Sequence, residues 1–442
     1  MTQSSNPQST TGTRSLRIAW LGPVPSEDGG ATGVATDLLD GLADLGHRID
    51  CFIAGNESKL PTRLQDNANL AFVWASTRWE WNQWYSRTDL GAFITDLIAR
   101  RRAFQRIRSA IADRHEHDPY DLIYQFSNIE TVGVPRQLAQ KIPLVIHPET
   151  HIAGELRWFR AERHLARQCE PLHRRLLVEC VLIIRTLVQR RCIRAAKLVV
   201  CISGVFRDHI IADYEVPYAK TRVIRNPVRL TRFHGLKNFE NSVGETPVIL
   251  VLGRISVRKG IDQIVQLSHV LASRDVDATI RIVGGHSLQS DYRPLLAQLN
   301  PTNARYVGPV PAEAIPRELE RADVLVQASK YEPFGLTVGE ALAAGVPIVA
   351  TTEVGAAEGV SGIACAVVPV GDVDCLAEAV ENVLRRLRVD ATCIRDAARL
   401  DAERLFAPNG ICEAISDALQ DLVGGRNITL PDRAPTGMAA TG

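Results

Sequence analysis

The feature that most constrains the fold is a repeated local grammar: a short apolar run, a glycine or polar turn, then a segment with helical spacing. In the second half it recurs as PVILVLG, TIRIVGG, ARYVG, VLVQAS, VPIVAT and CAVVPV, separated by segments such as GIDQIVQLSHVLASR. Runs this short and this continuously apolar suit strands buried on both faces, with the helical segments as crossovers. Parallel sheets covered by helices follow. The first half carries the same pattern at LRIAWLGPVP, at the end of VATDLLDGLADLGHRIDCFIAG, and at DLIYQF, PLVIHPET and KLVVCIS.

A chain of 442 residues, 45% hydrophobic and 23% charged, has the size and composition for more than one packed globular domain. The pattern pauses around Asn226, Pro227 and GLKNFENSVGETP. The reading is a disordered lead-in over 1–15, an α/β domain over 16–226, a linker over 227–245, a second α/β domain over 246–400, a C-terminal helix over 401–424 and a disordered tail over 425–442. A formal net charge of +1 gives no global field to recruit nucleic acid, so no such partner is expected. Nine scattered cysteines without a C-x-x-C pair read as reduced thiols in a cytoplasmic protein. The polar N-terminus MTQSSNPQSTTGTRS lacks the apolar core of an export signal. The longest apolar run, Leu176 to Val188, contains Glu179 and Arg185 and is shorter than a membrane span requires.

The stretch YEPFGLTVGEALAAGVPIVAT sets Glu332 and Glu340 on either side of a Phe334-Gly335-Leu336 turn, each beside an apolar run that should be buried. Buried charges need partners. Free N–H groups at a loop-to-helix junction favour an anion, and Glu340, about one turn into the helix, can face the same cleft. Carboxylates for vicinal hydroxyls with N–H donors between them suit a sugar nucleotide. Upstream, VLGRISVRKG ends a strand at Gly253 and follows it with Arg254 and Lys259, two cations suited to a diphosphate. Gly29, Gly30 and Gly33 in GPVPSEDGGATGVATDLL permit close backbone approach, although neither their spacing nor the next strand fits a dinucleotide fingerprint.

These segments, with RVIRNPV and PVGDVDCLAEAV, resemble retaining glycosyltransferases of the GT-B fold, glycosyltransferase family 4 (glycosyl transferases group 1). The resemblance spans most of the chain and implies two Rossmann-like domains facing a central cleft, the first for the acceptor and the second for the nucleotide-sugar donor. It implies that Glu332 and the Phe334, Gly335 and Leu336 amides hold sugar hydroxyls. The Leu336 and Thr337 amides with Arg254 and Lys259 would hold the diphosphate, Glu340 the ribose, and Gly29 and Gly30 would line the opposite wall. A histidine near the reacting centre is also implied; His147 and His151 compete for that place, with His151 favoured because it lies in the loop beyond the strand. The sequence departs from the family pattern at Arg229 after Asn226-Pro227-Val228 and at Gly355-Ala356-Ala357-Glu358.

The expected chemistry is transfer of a hexosyl group to an acceptor hydroxyl with retention, a phosphate oxygen of the leaving group taking the proton. No cofactor and no metal are expected, since Asp372 and Asp374 read as a helix cap. A sugar-nucleotide epimerase and a non-catalytic binding protein on the same scaffold are the alternatives. The acceptor is left open among a glycan, a lipid-linked molecule and a small molecule. Eleven Lys and Arg against three Glu between Arg157 and Lys197, with Trp158, Phe159 and the aromatics of RWEWNQWYSR, could dock on anionic lipid at the inner face of the membrane. Solvated helix faces with core aromatics would account for the same residues.

Overall fold

The computed structural model describes residues 14–27, 29–55, 57, 59–75, 90–127, 134, 136–167, 169–236, 246–286 and 291–425. Most of the expected lead-in and tail, the later part of the linker, and Trp79, Trp81, Trp84 and Tyr85 lie outside the described residues.

The first sheet comprises β1 (Arg17–Leu21), β2 (Arg48–Ala54), β3 (Leu70–Ala75), β4 (Leu122–Phe126), β5 (Leu144–His147), β6 (Leu198–Cys201) and β7 (Thr221–Val223), in the order β3-β2-β1-β4-β5-β6-β7. The second comprises β8 (Val248–Leu252), β9 (Thr279–Val283), β10 (Ala304–Gly308), β11 (Val324–Gln327), β12 (Ile348–Thr351) and β13 (Cys365–Val368), in the order β10-β9-β8-β11-β12-β13. Neighbouring strands pair in parallel throughout. Central strands such as β4 and β11 are buried at every position, as their unbroken apolar runs require. These are the two α/β domains that the apolar grammar predicts, with the Rossmann-like sheets that the family resemblance implies.

The strand order fixes where a ligand can sit. In each sheet the chain steps outward from its first strand and then returns to that strand's other side, so the crossovers diverge between β1 and β4 and between β8 and β11. The crevice beyond the carboxyl ends of strands at such a switch point is the ligand position of open α/β sheets. Gly29 and Gly30 follow β1, Arg254 and Lys259 follow β8, and Glu332 to Leu336 follow β11. All three sequence elements therefore fall at switch points.

The C-terminal end differs from expectation. Instead of one helix over 401–424, Asp401 to Phe406 close a helical stretch over Val373–Phe406 that is broken by a kink at Asp390, at φ −152° and ψ 81°, and a separate helix spans Pro408–Val423. Pro408 supplies no N–H and holds Ala407 extended, at φ −60° and ψ 126°, so the chain turns there. The last helix returns to the first domain, where Cys412, Ile415, Ala418 and Leu419 pack with Val34, Leu38 and Leu42 from the helix Gly30–Asp44. The start of the linker is also packed. Val228, Leu230 and Phe233 are buried in one cluster with Phe334, Val338 and Phe406. The chain thus crosses between domains twice, and the crossings touch where Val228 N–H donates to the Phe406 carbonyl at 2.9 Å.

Ile415 is fully buried against the first domain although it follows the second in sequence. Ile415→Ala should therefore cost ~2–5 kcal/mol, seen as a lower denaturation midpoint, with faster hydrogen exchange in the helix Gly30–Asp44 and unchanged exchange in β8 to β12.

Candidate active site

The loops after β8 and β11 are bound to each other by charge. Ser256 caps the short turn Val257–Lys259 by accepting from Lys259 N–H, and Gly260 closes it in the left-handed region at φ +78°. A Cβ at Gly260 would stand 1.8 Å from the Ala328 carbonyl, so only glycine allows the β8 loop to lie this close to β11. The turn aims Lys259 Nζ at Glu332 Oε2, with which it forms an ion pair, and the Arg258 guanidinium stands 3.9 Å from the same oxygen. Arg258 also donates to the Tyr331 carbonyl at 2.7 Å, while Lys330 N–H donates to the Arg258 carbonyl at 2.8 Å.

Glu332 is fixed from its other side by backbone. Its N–H donates to the Glu353 carbonyl and its carbonyl accepts from Gly355 N–H, each at 3.1 Å. Burial alone would raise its pKa, but Lys259 and Arg258 outweigh that and hold the carboxyl below its usual range, so it is ionised. Arg254 is exposed after Gly253 and close enough to act electrostatically on both Glu332 and Lys259.

Gly335, at φ 98°, caps the helix Leu336–Ala343 in the left-handed region. Val338 N–H is the first to return to the turn, reaching the Gly335 carbonyl at 2.9 Å. The Leu336 and Thr337 N–H groups consequently precede the helical ladder. Phe334 packs edge-on against Phe406 at 5.9 Å, so its side chain supports the turn. Glu340 is half-buried one turn into this helix; burial raises its pKa while Arg232 opposes. Gly29 and Gly30, at φ 85° and 63°, have open space where a Cβ would be. Asp372 caps the Val373–Phe406 helix by accepting from Cys375 N–H at 2.9 Å, and Asp374 pairs with Arg274 at 2.7 Å. Among the described residues no group of three or more His, Cys, Asp or Glu could hold a metal ion.

Both candidate histidines are fully buried in the first domain. His151 reaches the second: its Nδ1 lies 2.7 Å from the Tyr331 hydroxyl, and its Nε2 stands 3.1 Å from Asp213 Oδ2. Through the Nδ1 contact it acts here as a tie between the domains beside Glu332. His147 ends β5 against Phe126, with Nδ1 2.8 Å from the Tyr124 hydroxyl and Nε2 3.4 Å from Glu149 Oε1.

Residues that the sequence did not single out (Ser203, His209, Glu353), together with Glu358 and Arg229, at which it departs from the family pattern, complete the seam between domains. His209 Nε2 lies 2.9 Å from Glu353 Oε2, and Ser203 Oγ donates to the Pro333 carbonyl at 2.8 Å. Glu358 accepts from Gly204 and Val205 N–H at 2.7 and 2.6 Å, so its carboxylate caps the first-domain helix Gly204–Tyr214. Arg229 pairs with Glu27 and Asp37 beside the glycine loop. Adjacency was the available signal for Tyr331 and Arg258, which directly precede Glu332 and Lys259.

Two facing Rossmann-like domains with an ion-paired carboxylate and free helix-end amides at the second switch point define the class: a GT-B protein. Residues 29–227 match the glycosyl transferase 4-like domain and residues 246–386 the glycosyl transferases group 1 domain. The chain therefore carries both of these glycosyltransferase domains, one in each half. It is 30% identical over 173 residues to mannosylfructose-phosphate synthase of Agrobacterium fabrum, covering 36% of this chain and 38% of that one. It is 30% identical over 223 residues to glycogen synthase of Mycobacterium tuberculosis, covering 48% and 50%. The chain thus spans from about two fifths to half of these curated relatives. Sucrose-phosphate synthase from Thermosynechococcus elongatus superposes with a TM-score of 0.67 at 19% identity, over 93% of this chain and 100% of that one. Anabaena HepE in complex with UDP-glucose superposes with a TM-score of 0.60 at 20% identity, over 92% and 100%.

The His147 and Glu149 pair has a pH signature. Burial pushes His147 down from 6.5 to about 3 and Glu149 up from 4.5 to about 8, with an Asn226 hydrogen bond opposing each shift. His147 therefore contributes stability that is present above pH 6.5 and lost as pH falls towards 3. Glu149 contributes stability that is present below 4.5 and lost as pH rises through about 8. Of these two groups only Glu149 changes above pH 6.5, removing roughly 2 kcal/mol by pH 8. Glu149→Gln keeps an acceptor for Asn226 and should flatten the fall in denaturation midpoint between pH 6.5 and 8.

Proposed function

We propose that the protein transfers a hexosyl group from a nucleoside-diphosphate sugar to an acceptor hydroxyl, with retention of configuration and without a metal. The observation that carries this reading is the ionised Glu332, held by Lys259 beside the unladdered Leu336 and Thr337 amides at the β8/β11 switch point. The two matched glycosyltransferase domains and the UDP-glucose bound in the structural neighbour HepE support a sugar-nucleotide donor.

In this mechanism Glu332 accepts from sugar hydroxyls and Glu340 from the ribose. Lys259, Arg254 and the helix-end amides stabilise negative charge as it grows on the departing diphosphate. A leaving-group phosphate oxygen takes the acceptor proton.

Incubation with nucleotide sugars and candidate acceptors tests the reading: release of nucleoside diphosphate with a glycosylated product is expected. An altered sugar still attached to its nucleotide would instead indicate epimerisation. Lys259→Ala should lower kcat by at least ~10²-fold, the scale of one lost oxyanion donor. That variant also strands a buried carboxylate and should be less stable by ~3–5 kcal/mol. Lys259→Met combined with Glu332→Gln should recover most of the stability without recovering turnover, which separates the chemical role from the structural one. For metal independence, turnover should be unchanged by EDTA; loss on chelation and recovery with Mn²⁺ would overturn that part.

A further inference from the structure

Between β5 and β6 the chain leaves the first sheet as the helices Ile152–Ala161, Arg163–Ala166 and Leu172–Ala195. The inner face of the last is well occupied. Leu182 packs with Ile152, Leu156 and Phe159, and Gln189 accepts from Ile152 N–H at 2.8 Å and donates to the Thr150 carbonyl at 2.7 Å. The outer face is apolar and bare. Leu172, Leu176, Leu177, Ile184, Leu187 and Val188 are 59%, 46%, 45%, 61%, 62% and 36% exposed, half of the exposed large apolar side chains among the described residues.

At 3.6 residues per turn these positions share one side of the helix over about 24 Å. The only polar side chain among them is His173; Cys180 is also exposed there. A contiguous apolar stripe of this kind marks an interaction surface rather than ordinary solvated helix.

Charge indicates the partner. Eleven Lys and Arg stand against three acids between Arg157 and Lys197. The three acids are already committed: Glu162 is buried, Glu170 pairs with Arg175 at 2.7 Å, and Glu179 pairs with Arg160 at 2.8 Å. Arg163, Arg167 and Arg191 are exposed and Arg174 half-exposed, and none of them forms an ion pair with a described residue. A second copy of the chain on this face would bring like positive flanks together.

We propose that the outer face of the helix Leu172–Ala195 docks on an anionic lipid surface, with its leucine stripe in the acyl-headgroup boundary and the flanking arginines at the headgroups. No helix among the described residues is long and apolar enough to cross a membrane, so the contact lies in the interface plane.

The test is co-sedimentation of the full chain, without donor or acceptor, with vesicles of phosphatidylcholine alone or containing phosphatidylglycerol. Binding should require phosphatidylglycerol and weaken steeply with salt. Ile184→Glu with Leu187→Glu should lower vesicle affinity at least ~10-fold while leaving melting temperature and nucleotide binding unchanged. Arg174→Ala with Arg191→Ala should also weaken binding and reduce its salt dependence. Absence of binding, equal binding to both vesicle types, or wild-type binding by both double variants would overturn the proposal. So would a wild-type dimer that Ile184→Glu with Leu187→Glu dissociates, since a second copy would then cover the face. Because no sugar transfer is measured, failure here leaves the transferase reading untouched, and failure of transfer leaves this one standing.

Discussion

A carboxylate moved from water into a protein stays ionised only if opposite charge moves with it, and Glu332 has that charge in Lys259 and Arg258. The residues are far apart in sequence and follow different strands, so their attraction defines how the β8 and β11 loops meet. Around it the main chain is bound in matching fashion: Arg258 holds the Tyr331 carbonyl, Lys330 holds the Arg258 carbonyl, and Lys330 pairs with Asp262. Breaking one side of a buried ion pair is far more costly than never having built it. The arrangement therefore specifies geometry more than it adds stability, which suits a site whose donors must be aimed before a ligand arrives.

Much of this was legible in the sequence because parallel strands buried on both faces leave unbroken apolar runs. In the second sheet β8, β11 and β12 stand out in that way, while β9 and the edge strand β10 remain recognisable as short runs despite Arg281 and Arg305. In the first sheet, β3 and β7 do not. β3 is an edge strand whose side chains are mostly only partly buried, and β7 is three residues long with Arg222 at its centre. The glutamates and cations of the donor side are visible because charge inside an apolar run demands an explanation. The direction in which each side chain points is not visible. His151 meets Tyr331 across 180 positions of sequence, and no local pattern distinguishes that contact from the burial of His147 within its own domain. The bounds of the last helix escape the sequence for the same reason: Pro408 marks a break, but only packing with Leu38 and Leu42 reveals which domain receives the helix beyond it.

The seam between domains is polar where it borders the site. Glu358 caps a helix of the other domain, His209 meets Glu353, and Ser203 meets the Pro333 carbonyl. Each partner can exchange the other for water at modest cost, unlike an apolar interface of the same extent. A bound ligand needs only a small differential affinity to choose between open and closed arrangements of such a seam.

The paired crossings at Val228 and Phe406 set the mechanics of that choice. Among the described residues the two covalent crossings lie side by side, so a rotation about their common neighbourhood would disturb the chain least. Arg225, three residues before Val228, also holds the Glu358 carbonyl at 3.1 Å, placing that contact near the pivot. Cleft width is then a lever-arm quantity: a small angular change at the pivot moves groups in proportion to their distance from it. The same rotation that barely disturbs the contacts of Arg225 would govern how closely more distant walls of the cleft approach a bound donor.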